Sequence, residues 1–199
     1  VTLIIYRLNG DELTVIVDSL ASGQGVVADA EVRKHWINAK DRFLVTGMGA
    51  ADLIVPWLDR VENRRYSSLE DVAAGSTHLL EQWQMYSPAM NSGYATLFGF
   101  GFMDGISMRL EMSSRNGFAP SWSARVGLAV PRVEQAVLAS TPADLTSDDD
   151  ADYFAIASHV AQHVNRLNVH PTIGGVLWAT RISASGNVEE RAIGRISPA

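Results

Sequence analysis

The chain has 199 residues, 47% of them apolar, a length that suits one large domain or two small ones, and its 19% charged residues fall below the roughly 25% of an average soluble domain. Its formal net charge is −6, from 16 basic and 22 acidic residues, which argues against a nucleic-acid binder with its basic stripe. There is no cysteine, which removes disulfides, thiol nucleophiles and Cys-based zinc sites and fits a reducing, cytoplasmic compartment.

The chain opens on Val1-Thr2-Leu3-Ile4-Ile5-Tyr6, apolar from its first residue with no basic stretch ahead, so no signal peptide is expected. No later run approaches the roughly 18 apolar residues of a membrane helix. Residues 2–8 and 12–18 are apolar, β-branched runs separated by Asn9-Gly10, a strong hairpin signal. Extended structure is expected over 26–37 and a strand over 42–47. The period then changes. Leu53, Val55, Trp57, Leu58 and Val61 suit a helix from Ala50 to about Arg64, with Pro56 inside it. Ser67-Ser68-Leu69-Glu70 reads as a capping box with Ser67 as N-cap, opening a second helix to about Met85. Two strands over 94–112 turn at Asp104-Gly105, and one or two more are expected over 118–130. A short helix follows Pro131, and an acidic connection runs from Thr141 to Asp150. Residues 151–167 form an amphipathic helix, and strands over 174–182 and 188–196 close the chain. No repeat or flexible linker interrupts 1–199, so a single α+β domain of two packed sheets covered by helices is expected.

Thr2, Asp18-Ser19-Leu20-Ala21-Ser22, Val32-Arg33-Lys34 and Thr46-Gly47-Met48-Gly49-Ala50-Ala51-Asp52 occur in that order along the first 60 residues. Together they resemble the proteasome β-subunit family of N-terminal-nucleophile (Ntn) hydrolases. The intervals from Thr2 to Asp18, to Lys34 and to the Gly-rich turn match that family without a gap; beyond them only the order of elements agrees. The resemblance implies a four-layer αββα sandwich of the Ntn-hydrolase type. It also implies a threonine peptidase that acts on peptides or unfolded proteins within a homo-oligomeric ring, and it leaves room for an ATPase partner. It calls for no cofactor, metal, nucleic acid or membrane.

These residue types suit that chemistry. A threonine hydroxyl needs an adjacent base, and in this class the base is the threonine's own α-amine. A free α-amine titrates near 7.7–8.0, so it can be neutral at physiological pH. A nearby lysine ammonium disfavours the charged amine and stabilises a deprotonated hydroxyl. Backbone N–H groups at a Gly-rich turn can hold an oxyanion. By resemblance Thr2 is the nucleophile, Lys34 the tuning cation, Asp18 its partner and the Met48 N–H the oxyanion donor. The substrate pocket would take Ala21, Ser22, Val32, Trp36, Thr46, Gly47, Gly49, Ala50 and Ile54, a mostly apolar lining that favours a hydrophobic side chain before the scissile bond.

Two positions depart from the family's pattern. Val1 precedes Thr2, and an amide nitrogen cannot act as the base, so the mechanism needs Val1 removed. The supporting Ser and Asp-x-x-Ser positions fall near Gly127-Leu128-Ala129-Val130 and on His170 and Ile173, none of which supplies the family's group. A catalytically silent assembly or binding protein, and an Ntn amidase acting on a small amide, are the rival readings.

Other candidates carry less. His159 and His163 share a helix face, but neither the glutamate of a zinc-protease motif nor a third ligand is evident. Asp148-Asp149-Asp150 lacks the spacing of a calcium loop and reads as a solvated loop or helix-N-terminal charge. Trp57, Trp83, Trp122 and Trp178 are spread one per element, as core or contact residues are. Gly99-Phe100-Gly101-Phe102 lies in a strand-like run without the lysine of a phosphate loop.

Overall fold

The computed structural model describes residues 2–20, 31–86, 94–129, 147, 149–167 and 173–197. In chain order the elements are β1 (Ile4–Asn9), β2 (Glu12–Asp18), β3 (His35–Asn38), β4 (Phe43–Gly49), α1 (Ala51–Arg64), α2 (Leu69–Tyr86), β5 (Ala95–Met103), β6 (Ile106–Ser113), β7 (Ser121–Ser123), β8 (Gly127–Ala129), α3 (Asp150–Arg166), β9 (Gly175–Ser183) and β10 (Val188–Ile196). The chain is therefore a mixed α+β protein. Among the described residues no helix is long and apolar enough to cross a membrane.

The strands form two five-stranded antiparallel sheets, ordered β10-β9-β2-β1-β8 and β3-β4-β5-β6-β7. Alternation along each strand sends side chains to two different cores. Ile4, Tyr6, Val15 and Val17 of the first sheet pack against Leu44, Met48, Phe98 and Phe100 of the second. The intervening residues Leu3, Ile5 and Ile16 turn the other way, onto Tyr153, Ile156 and Val160 of α3. In the second sheet Phe43, Val45, Leu97 and Leu110 face Leu53, Trp57, Leu69 and Val72 of α1 and α2. Both sheets are thus apolar on two faces, which explains why their strands read as near-continuous apolar runs.

Most expected elements appear within a residue or two. The structure moves one cap. Helix α2 starts at Leu69, and Ser68 rather than Ser67 accepts from the Asp71 N–H, at 3.2 Å. This register seats Leu69 in the core at 1% exposure, and Ser67 instead donates to the Asp71 carboxylate. Pro56 sits on the exposed face of α1, and the helix runs through it. Of the extended stretch expected over 26–37, the described part is a strand only over His35–Asn38; residues 21–30 and the short helix expected after Pro131 lie outside the described residues. Asp149 caps α3, accepting from the Ala151 N–H at 2.9 Å. Asp150 binds Arg181 and Arg191 at 2.8 Å each, so these aspartates serve the helix terminus and tie α3 to β9 and β10.

Candidate functional site

Four chain segments meet at one end of the paired sheets. Antiparallel pairing sets the start of β1 beside the end of β2, with Ile4 opposite Val17. The same logic sets the start of β3 beside the end of β4, with His35 opposite Thr46. Thr2 lies just before β1 and is buried, at 5% exposure. Asp18 ends β2, Lys34 precedes β3, and Gly49 ends β4.

Asp18 is the centre of this end. Its carboxylate is fully enclosed and accepts three hydrogen bonds. Oδ1 takes the Leu3 N–H at 2.8 Å; Oδ2 takes the Lys34 ammonium at 2.9 Å and the Gly174 N–H at 3.2 Å. The Leu3 contact orients the residue directly after Thr2. The Lys34 contact joins the two sheets, and the lysine backbone is itself tied down, because Thr46 Oγ1 donates to the Lys34 carbonyl at 2.7 Å.

Burial pulls the Lys34 ammonium below the ordinary lysine range, while attraction and hydrogen bonding to Asp18 oppose that shift. Desolvation dominates because little of the side chain reaches water. A weakened ammonium beside a paired carboxylate can lend or take a proton more readily than a surface lysine.

Gly47-Met48-Gly49, expected as a turn, is the end of β4, paired with Leu97, Thr96 and Ala95, and the chain leaves it by close approach. Gly49 has φ 114°, and a Cβ there would come within 1.9 Å of the Tyr94 carbonyl oxygen. That same oxygen accepts the Ala50 N–H at 3.0 Å and hands the chain into α1. The Met48 side chain is buried between the sheets, opposite Thr96.

The expected pocket residues divide. Thr46 and Gly47 are buried beside the site, and Gly47 lies against Ile54. Trp36, opposite Val45, turns to the α1 side and meets Phe43 edge-on, with ring centroids 5.8 Å apart. Ile54 and Ala50 pack into that same helix-covered core. Ala21 and Ser22 lie outside the described residues. Val32, 44% exposed, lines a cleft of about 250 Å³ with Ser19, Glu31, Arg33, Trp178 and Glu190.

Several residues here had no role assigned from the sequence. Ser19 Oγ accepts the Val176 N–H at 2.8 Å, and Gly175 passes close by with φ 74°. A Cβ at Gly175 would lie 2.6 Å from that oxygen. Glu190, on β10, accepts from Arg33 at 2.9 and 2.7 Å and lies 2.5 Å from His35 Nε2. Burial pushes the His35 imidazole below its usual value, against the opposing pull of Glu190. Its buried Nδ1 has no hydrogen-bond partner among the described residues, so a proton there would be an orphan donor. The hydrogen-bond pattern therefore assigns a neutral ring whose Nε2–H donates to Glu190. Nothing near Glu190 in sequence points to His35, since the two are 155 residues apart.

The turn before β9 carries no serine or aspartate in the described part. Ile173 is fully buried in the α3-side core, and support for Asp18 comes from backbone N–H instead. The histidine pair belongs to α3, and among the described residues no three His, Asp or Glu side chains cluster as a metal would require. No protein-family model matches the chain, and no curated protein matches it in sequence.

Proposed function

We propose that the chain is a threonine peptidase of the proteasome β-subunit type, with Thr2 as nucleophile once its α-amine is exposed. The observation that carries this reading is the set of donors on Asp18: the Leu3 N–H and the Lys34 ammonium share one buried carboxylate. That arrangement brings a lysine of lowered basicity to the strand end that bears a threonine. The three cores support the finer architecture, a four-layer αββα sandwich of the Ntn type: α1 and α2, two sheets, then α3.

In this mechanism the free α-amine of Thr2 takes the Oγ proton as Oγ bonds to the substrate carbonyl carbon. Lys34 disfavours protonation of the amine beforehand and stabilises the oxygen during attack. The developing oxyanion is met by the Met48 N–H. The α-ammonium then protonates the departing amine, the C–N bond breaks, and an ester on Thr2 remains for water to hydrolyse. The substrate class is peptides or unfolded proteins, the working form a self-assembled ring, and an ATPase would deliver folded substrates.

A second reading, a catalytically silent assembly or binding protein, is favoured by Ile173, which is buried where the resemblance calls for a hydroxyl. Intact mass before and after a threonine-reactive β-lactone separates the two. Loss of Val1 with a single adduct on Thr2 supports the peptidase, and peptide profiling then distinguishes it from a small-amide hydrolase. Retained Val1 with no adduct overturns it.

A further inference from the structure

Helix α3 ends beside the site, and its last turn reaches Asp18 through backbone. Asn165, buried at 8% exposure, spends both ends of its amide on one residue. Nδ2 donates to the Ile173 carbonyl at 2.9 Å, and Oδ1 accepts the Ile173 N–H at 3.1 Å. A two-point clamp on the peptide groups either side of the Ile173 Cα fixes both the position and the orientation of that residue, where one bond would leave a pivot. The next residue is Gly174. Its N–H reaches Asp18 Oδ2 at 3.2 Å, and its carbonyl accepts the Leu20 N–H at 2.9 Å. The same Asp18 oxygen receives Lys34.

We propose that Asn165 is a positioning residue for the Asp18–Lys34 pair, acting through the Ile173–Gly174 backbone. This rests on the reading of Lys34 as the cation that tunes Thr2. Gly174 and Lys34 share one carboxylate oxygen, so the clamp limits how much of that oxygen the ammonium can claim. It also holds the turn against the site and keeps water away. When the clamp is lost, the ammonium binds Asp18 more fully and gains solvent. Both changes raise the pH at which Lys34 titrates and weaken it as a partner for the Thr2 hydroxyl.

The chain offers an unusually clean readout, because Lys34 and Lys40 are its only lysines and Lys40 is exposed. Full-length protein carrying ¹³C-lysine is titrated by NMR, with Lys34→Ala assigning the signals. The native Lys34 signal is expected to titrate below the ordinary lysine range. In Asn165→Ala its midpoint should move toward that range by about half the gap or more, and lactone acylation of Thr2 should fall roughly tenfold. A folded variant with Lys34 titration unchanged overturns the proposal. Asn165→Leu, of similar volume, removes both hydrogen bonds while keeping the packing, should the alanine variant not fold. In the unaltered protein the Gly174 amide must be protected from exchange; exchange at the rate of an unstructured peptide overturns the proposal without any substitution. If native protein takes no lactone adduct yet the Lys34 titration shifts in Asn165→Ala, the peptidase reading fails and the positioning role stands. If adducts form equally fast in both and Lys34 is unmoved, the reverse holds.

Discussion

The two ends of the paired sheets are closed in different ways. At one end lie four short turns, joining β1 to β2, β3 to β4, β5 to β6 and β9 to β10. Neutral backbone bonds cross-tie them: Ser107 N–H to the Gly10 carbonyl at 2.6 Å and Ala184 N–H to the Asp11 carbonyl at 2.7 Å. Arg42 adds a bond to the Ala184 carbonyl. At the other end, among the described residues, the strand ends beside Asp18, Lys34 and Gly49 are not joined to one another by such turns. A buried ion pair holds them instead, with backbone donors supplied from 15 and 156 residues away. Turns are inexpensive closures that neighbours in sequence can encode. A buried charge pair is a poor source of net stability, since desolvation offsets its attraction. The proposed peptidase role would give this pair a purpose that fold maintenance alone does not.

The largest expected effect is on activity. Lys34→Ala should lower lactone acylation and peptide hydrolysis by about a thousandfold or more, as loss of one member of a catalytic unit does. Circular dichroism should still show a cooperative melt, because Asp18 retains its bonds to Leu3 and Gly174. Activity that survives in a folded variant would remove Lys34 from the mechanism.

The next largest effect distinguishes the ends by their glycines. Gly49→Ala drives a Cβ into the Tyr94 carbonyl and should destabilise by about 3 kcal/mol or more. Gly175→Ala, which meets Ser19 Oγ and the Leu20 nitrogen, should cost about 2 kcal/mol. Gly10→Ala at the hairpin end has a positive φ but nothing within 4 Å, so only backbone strain of about 1 kcal/mol remains. Urea unfolding of the three variants would rank them. Equal losses at Gly10 and Gly175 would show that the site end is no more tightly packed than the turns.

The smallest effect is a pH dependence. His35 binds a proton less readily in the folded chain than in the unfolded one. Between its lowered value and about 6.5 the unfolded chain carries more protons, so stability rises with pH through that window and is lost as pH falls through it. The urea midpoint should drop on going from neutral to acidic pH, and drop less in His35→Gln. An identical pH slope in the variant would exclude His35 as its source.

The hairpins and helices were legible because each is written locally. Asn9-Gly10 and Asp104-Gly105 mark turns, and the switch from β-branched runs to the Leu53, Trp57, Val61 spacing marks α1. The placement of Ser68 was missed by one residue, since Ser67 and Ser68 both offer a hydroxyl and only burial of Leu69 selects between them. Asp18 and Lys34 were legible only through the resemblance to the proteasome β-subunit family, whose intervals they match. Glu190, Gly174 and Asn165 were not, because a lone glutamate, glycine or asparagine in an ordinary strand, turn or helix carries no spacing signal.

What the sequence by itself determined was the order of elements and the α+β class, both of which depend on residues near one another in the chain; the Asp18–Lys34 ion pair was expected only through the family resemblance. Which face each strand gives to which core was decided only in three dimensions. Trp36 and Ile54 are apolar residues that either core could have taken, and the pairing of Trp36 with Val45 sends the ring to the α1 side. The support beneath Asp18 was likewise a tertiary decision. A backbone N–H is present at every residue except proline, so its use in supporting Asp18 is invisible until Asn165 and Ile173 hold Gly174 against the carboxylate.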